Sequence, residues 1–359
     1  MNEIRVACYV SGRGDIGGAE RRLMRIFDAL GDDIDVFFVA RSFEGEAAPE
    51  ETYRSFSSNG KVTFMTVKNS DIELFRFVYG QKFDVVFFIG PYKEMLPFLL
   101  AGKLSGSKCI WLLVNTFYAA RVFENGIQKV MFATTSLLSD RVDLLFPAEY
   151  EALKKYYRSK PLSITPCPFT DLVTFRPAAK SKTMVFLSRL VKGKNADLLI
   201  RAMTLIEDDL KEAHYKVIVA GDGPEFEVIE RLVKDCGLEE TVQLPGYVDP
   251  SAFLPTAEVF FSLQDLNNYP SQSLLEAIAC GCYVVATDVG DTQRLVSPEF
   301  GQLCKSDAHS IAQAVRSYIF LDEESKKVAS QKARTFAEAT FDISRSVNHY
   351  EDMIRESVC

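Results

Sequence analysis

The residues best suited to chemistry are cations and glycines that directly follow apolar runs. After Met184 to Leu187 comes Ser188-Arg189-Leu190-Val191-Lys192-Gly193-Lys194. Arginine presents a two-pronged fork and lysine a point charge, so Arg189 and Lys194 suit a departing diphosphate. A solvated loop that happens to be basic is the plain alternative. Further along stands Asn267-Asn268-Tyr269-Pro270-Ser271-Gln272-Ser273-Leu274-Leu275-Glu276-Ala277-Ile278-Ala279-Cys280-Gly281. Pro270 reads as a helix start and Gly281 as its stop. The backbone N–H groups of Ser271, Gln272, Ser273 and Leu274 would then face an anion, and Glu276, one turn inside, could accept two sugar hydroxyls. Ser273-x-x-Glu276 fits a capping box equally well, with both side chains committed to the helix end.

Three turns add backbone groups. The first apolar run leads into Ser11-Gly12-Arg13-Gly14-Asp15-Ile16-Gly17-Gly18 and a helix near Ala19. Glycine lets the backbone approach a ligand, and Gly17 and Gly18 stand where helix N–H groups point outward. The G-x-G-x-x-G register occurs at Gly12, Gly14 and Gly17, yet the second run ends Phe38-Val39-Ala40-Arg41, where a dinucleotide site wants an acid. Ligand contact and a tight turn both stay open. Gly221-Asp222-Gly223-Pro224 and Leu244-Pro245-Gly246-Tyr247-Val248 follow two later runs, so Gly221, Tyr247 and Val248 lie where a base could stack or hydrogen-bond; turn chemistry alone also explains them.

What positions these residues is a repeated strand–turn–helix rhythm. Strands are expected at Arg5 to Tyr9, Ile34 to Val39, Val62 to Val67, Asp84 to Ile89, Ile110 to Val114 and Val130 to Thr134. A second series is expected at Met184 to Leu187, Lys216 to Ala220, Val242 to Leu244, Val259 to Leu263 and Val284 to Thr287. The runs do not alternate, as strands buried on both faces by helices do not, so two doubly wound parallel sheets follow. The expected division is a first domain at 1–165, a Pro-rich connection at 166–182, a second domain at 183–340 and a helix at 341–359 that crosses back to the first. The first histidine is His214, so no histidine base is expected in 1–165, where Asp15, Glu20 and Asp140 are the candidate carboxylates.

Composition sets the outer limits. A chain of 359 residues exceeds one growing core, and 47% hydrophobic with 25% charged residues is a globular balance. A formal charge of -8 argues against a polyanion binder, so no nucleic-acid partner is expected. Eight scattered cysteines without a C-x-x-C pair or a secretion signal fit a reducing cytoplasm. Three separated histidines give no zinc-ligand spacing, so no metal is expected. The apolar stretches fall short of the ~20 residues that span a bilayer, which leaves only peripheral membrane contact.

Taken in order, these segments resemble the retaining glycosyltransferases of the GT-B fold, family 4, along nearly the whole chain. The resemblance rests on Gly17-Gly18-Ala19-Glu20, Phe175-Arg176-Pro177, Ser188-Arg189-Leu190 with Lys194, Gly221-Asp222-Gly223-Pro224, Leu274-Leu275-Glu276-Ala277 with Gly281, and Val284-Val285-Ala286-Thr287-Asp288-Val289-Gly290. It implies two Rossmann-like domains facing across a cleft, a nucleotide diphosphate sugar (UDP or GDP) as co-substrate rather than a resident cofactor, and a glycan or lipid-linked acceptor of surface polysaccharide or glycolipid synthesis, presented at the cytoplasmic membrane face. Arg189 and Lys194 would then bind the diphosphate, Glu276 the ribose hydroxyls, and Tyr247 would lie near the base. Asn268 stands eight residues before Glu276, where the family carries a carboxylate, and Asn115 falls in the region of the family's N-terminal histidine. A nucleotide-sugar epimerase on the same scaffold and a binding protein without turnover are the competing readings.

Overall fold

In the computed structural model the described residues are 3–10, 18–42, 50, 54, 59–89, 95–113, 126–145, 147, 150–154, 160–166 and 168–358. The chain divides into two units, Met1–Cys167 with Ile343–Cys359, and Pro168–Asp342.

The first unit is built on strands β1 (Ile4–Tyr9), β2 (Ile34–Ser42), β3 (Thr63–Lys68), β4 (Val85–Ile89), β5 (Lys108–Leu113), β6 (Arg141–Leu144) and β7 (Leu162–Ile164). They pair in parallel in the order β3-β2-β1-β4-β5-β6-β7. Helices α1 (Gly18–Phe27), α2 (Asp71–Gln81), α3 (Leu96–Ser105), α4 (Gly126–Leu138) and α5 (Tyr150–Lys154) connect them. On one face Trp111 stacks on Phe88 and meets Phe132 of α4 edge-on. On the other, Phe27 of α1 contacts Phe38, Phe87 and Tyr350 at centroid distances of 5.9, 5.2 and 5.4 Å. Tyr350 belongs to the C-terminal helix Ile343–Val358, which is further fixed by Arg355 on Asp33 (2.6 and 2.9 Å) and by Glu351, which accepts from the Gly31 N–H (2.6 Å).

The run at 130–134 is helical, part of α4, not a strand. A short apolar run is ambiguous by periodicity, and length decides: no turn residue interrupts the segment before Leu138, and Ile127, Val130 and Leu137 point to solvent. Strands β6 and β7, and Gly301–Cys304 of the second unit, lie outside the expected strands because they are only four, three and four residues long. Asp143 sits buried in β6 only because Ser163, Thr165 and His349 all hydrogen-bond its carboxylate. His349 also corrects the expectation that the first domain lacks a histidine, since the C-terminal helix brings one in.

The second unit holds β8 (Thr183–Leu187), β9 (Lys216–Ala220), β10 (Val242–Gly246), β11 (Val259–Ser262), β12 (Tyr283–Thr287) and β13 (Gly301–Cys304), all parallel in the order β10-β9-β8-β11-β12-β13. Its helices are α6 (Ala196–Thr204), α7 (Glu207–Glu212), α8 (Phe226–Asp235), α9 (Pro250–Phe253), α10 (Gln272–Ala279), α11 (Ala308–Ile319) and α12 (Glu323–Thr340). The winding reverses between β8 and β11, and ligands of such sheets bind at that point, beyond the carboxyl ends of the strands. The Pro-rich segment before β8 is strapped to this unit: Ala178 and Ser181 N–H groups donate to Pro255 and Thr256, and Arg334 donates to the Leu172 and Phe175 carbonyls. No described helix is long and apolar enough to cross a membrane.

Candidate functional site

Beyond β8 the chain is clamped by the turn that follows β9. Ser188 N–H donates to the Ala220 carbonyl (3.1 Å), Leu190 N–H to Asp222 (2.8 Å), and Glu225 N–H to Leu190 (3.1 Å). Two glycines permit this approach. A Cβ on Gly221 would lie 1.8 Å from the Ser188 oxygen and one on Gly223 2.4 Å from the Leu190 oxygen; their φ values of 139° and 149° also disfavour other residues. The need for glycine at 221 therefore comes from the neighbouring loop. Between its clamped neighbours Arg189 is left exposed.

Lys194 is half-buried, and its ammonium lies 3.2 Å from Gln264 Oε1. Gln264, just past β11, is held by Thr287, whose hydroxyl accepts from the Gln264 N–H (2.9 Å) and donates to its carbonyl (2.7 Å). Burial first, and the charge of Arg189 second, push the Lys194 pKa below that of an ordinary lysine. Among the described residues neither cation forms an ion pair. A neutral amide fixes the lysine without cancelling its charge.

The loop that carries Lys194 is tied down from behind. Asn195, buried and in the left-handed conformation at φ 61°, donates to Asp265 Oδ1 (2.6 Å) and to Ser306 Oγ (3.1 Å). Ser306 donates to the same Asp265 oxygen (2.9 Å), and the Asp265 N–H donates to the Gly193 carbonyl (3.1 Å). Asn195, Gln264 and Ser306 carried no signal in the sequence beyond, for Gln264, following the strand at the switch point, whereas Asp265 stood out only as the carboxylate nearest before Asn267 and Asn268.

Past β11, Asn267 packs over Gly290, where a Cβ would meet it at 2.2 Å, and pairs with Asp291. Asn268 is exposed. Helix α10 begins at Gln272 with Ser271 as its N-cap, two residues beyond Pro270, the expected start. The capping box does not form: the cap position is Ser271 rather than Ser273, and its side chain makes no cap bond. The N–H groups of Gln272, Ser273 and Leu274 thus point out of the helix start uncapped, while the Leu274 side chain is 1% exposed and belongs to the core. Glu276, buried in the next turn, accepts from Gln272 Nε2 (3.1 Å), which also donates to Thr170 (3.2 Å). Gly281 ends the helix at φ 71°. At the end of β10, Tyr247 is 82% exposed and Val248 half-buried.

The carboxyl edge of the second sheet therefore gathers Arg189, Lys194, Gly221, Tyr247, Val248, Asn268 and the start of α10. Gly18 opens α1 of the first unit; Gly17, Asp15 and Asn115 fall outside the described residues. Asp140 lies at the amino end of β6, paired with Lys103 (2.5 Å), away from a carboxyl-edge site. Among the described residues no group of three or more His, Cys, Asp or Glu could hold a metal ion.

The family described as "Glycosyl transferases group 1" matches residues 173–336. The chain is 29% identical over 239 residues to the N-acetylgalactosamine-N,N'-diacetylbacillosaminyl-diphospho-undecaprenol 4-alpha-N-acetylgalactosaminyltransferase of Campylobacter jejuni, covering 63% of each chain. It is 29% identical over 183 residues to the N-acetyl-alpha-D-glucosaminyl L-malate synthase of Bacillus anthracis, covering 49% of this chain and 46% of that protein. Both matches thus span less than two thirds of the relative's length. The crystal structure of Anabaena HepE in complex with UDP and glucose is similar at TM-score 0.78 and 14% identity, over 98% of this chain and 100% of that one. That likeness shows the fold, the GT-B class of two Rossmann-like parallel-sheet domains.

Proposed function

We propose that this chain, a member of the glycosyl transferases of group 1 by its residues 173–336, transfers a sugar from a nucleotide diphosphate donor to a glycan or lipid-linked acceptor, with retention of configuration. One observation carries the reading: Arg189 and Lys194 stand at the switch point of the second sheet with Lys194 fixed by a neutral amide, which leaves two positive charges for a departing diphosphate. Glu276 takes the ribose hydroxyls, Tyr247, Val248 and Gly221 border the base, and the uncapped first turn of α10 faces phosphate or sugar. Asn268 orients the sugar and is not a nucleophile.

UDP is favoured over GDP because the similar Anabaena protein is seen with UDP. The names of both relatives specify α-linked sugars, which supports retention from an α-linked donor, and that of the Campylobacter protein includes a diphospho-undecaprenol acceptor, which supports a lipid-linked one. The first unit would take that acceptor on the cytoplasmic side, and the exposed Leu104, Ile127, Val130 and Leu137 of α3 and α4 favour peripheral membrane contact. Because fixed cations meet the diphosphate, turnover is expected to survive excess chelator; loss of turnover rescued by magnesium or manganese would refute this.

Titrating the chain with UDP by calorimetry, beside melting curves, tests the reading. UDP at ~100 times its dissociation constant should stabilise by about 2.7 kcal/mol, and Glu276→Gln should weaken UDP binding with its melting temperature unchanged. No response to UDP or GDP would end the proposal. Asn268, in place of a carboxylate, favours a second reading as a binder without turnover; slow UDP release from a UDP-sugar without acceptor rejects that, while a changed sugar still attached to UDP would mark an epimerase.

A further inference from the structure

At the amino end of the second sheet, opposite the edge just described, lies a cavity of about 490 Å³ lined in part by Glu258, Tyr283, Tyr318, Lys326, Ser330 and Gln331. Glu258 directly precedes β11 and is 9% exposed. Its Oε2 accepts from the hydroxyls of Tyr215 and Tyr318. Its Oε1 has no protein partner among the described residues and is not sealed from solvent, and Glu258 lines the cavity. An ionised carboxylate only accepts hydrogen bonds, so this oxygen takes its donor from outside the protein. A ligand hydroxyl would supply that donor in place of water.

The cavity's charge decides the ligand class. Lys180, Lys326 and Lys327 are matched in number by Glu258, Glu323 and Glu324, so the lining carries no net formal charge. The Lys180 ammonium is already bound to the Ala257 and Cys280 carbonyls (2.7 Å each). The Lys326 ammonium lies 3.2 Å from Glu323, 5.5 Å from the Tyr318 ring centre and 5.8 Å from that of Tyr215. An anion would meet Glu258 and a cation would meet Lys326, whereas a neutral polyol is opposed by neither. Tyr283 and Tyr318, 4.7 Å apart, add an aromatic wall for a C–H face. We propose that this cavity is a second ligand site, independent of the diphosphate site, and that it takes an uncharged pyranose.

Saturation-transfer NMR on the full chain with methyl α-D-glucopyranoside and methyl α-D-galactopyranoside tests it. At least one probe should receive saturation in the wild type and in Arg189→Ala, with no competition from UDP. Glu258→Gln, which turns the free acceptor into a donor, should weaken that binding about tenfold, as for a lost hydrogen bond to a charged group. Should Glu258→Gln melt early, Gln331→Trp at the exposed rim decides instead, and it should abolish transfer by blocking the mouth. Absence of transfer to both probes, displacement by UDP, or transfer unchanged in the deciding variant overturns the proposal.

Discussion

The side chains expected to act on the diphosphate differ in how they are held, and the difference can be measured. Arg189 is exposed between clamped neighbours, whereas Lys194 is half-buried on Gln264. Arg189→Ala and Lys194→Ala should each lower kcat/KM by roughly 10², about 3 kcal/mol of transition-state stabilisation, with folding intact; unchanged kinetics in either variant would remove that residue from the site. A second signature follows from the depressed pKa of Lys194. Its charge disappears as pH rises through a value below the ordinary 10.5, so kcat/KM should fall on the alkaline side earlier than a solvated lysine would cause. Burial is the main reason and Arg189 the next. The residual activity of Arg189→Ala should therefore lose its alkaline limb at higher pH, and a limb that stays put would separate the two cations.

At the scale of elements, the turns do more than the strands. Gly221 and Gly223 admit the carbonyls of Ser188 and Leu190, and so fix the segment that carries Arg189. Gly221→Ala forces a methyl group against a backbone oxygen that only backbone movement can relieve, at a cost of ~1–3 kcal/mol. Its melting temperature should fall and kcat/KM should drop by at least as much as in Arg189→Ala; wild-type kinetics would show that the clamp is unimportant. The sequence displayed much of this framework. Runs such as Val259-Phe260-Phe261 and Val284-Val285-Ala286, short and without polar alternation, read as strands buried on both faces. What stayed hidden depends on three-dimensional partners: Asp143 inside β6, the Asn195–Asp265–Ser306 tie, and the amide behind Lys194. The capping box at Ser273 was a true ambiguity, settled by a helix that starts with Ser271 as its cap.

At the scale of the whole molecule, the first unit is discontinuous in sequence. Tyr350 closes the aromatic cluster of Phe27 and Phe87, and Arg355 and Glu351 anchor the same helix on Asp33 and Gly31. Tyr350→Ala should cost about 3–5 kcal/mol, as large aromatic truncations in cores do, and calorimetry should place that loss in the first unit's transition alone. Equal shifts in both transitions would mean that the helix does not belong energetically to the first unit. The same discontinuity governs events on the ribosome. The first sheet emerges early, but the helix that covers its Phe27 face follows only after the 175 residues of Pro168–Asp342. At ~5–20 residues per second that delay is about 9–35 s, during which the nascent chain carries an uncovered aromatic face and is a natural client for whatever holdase attends it.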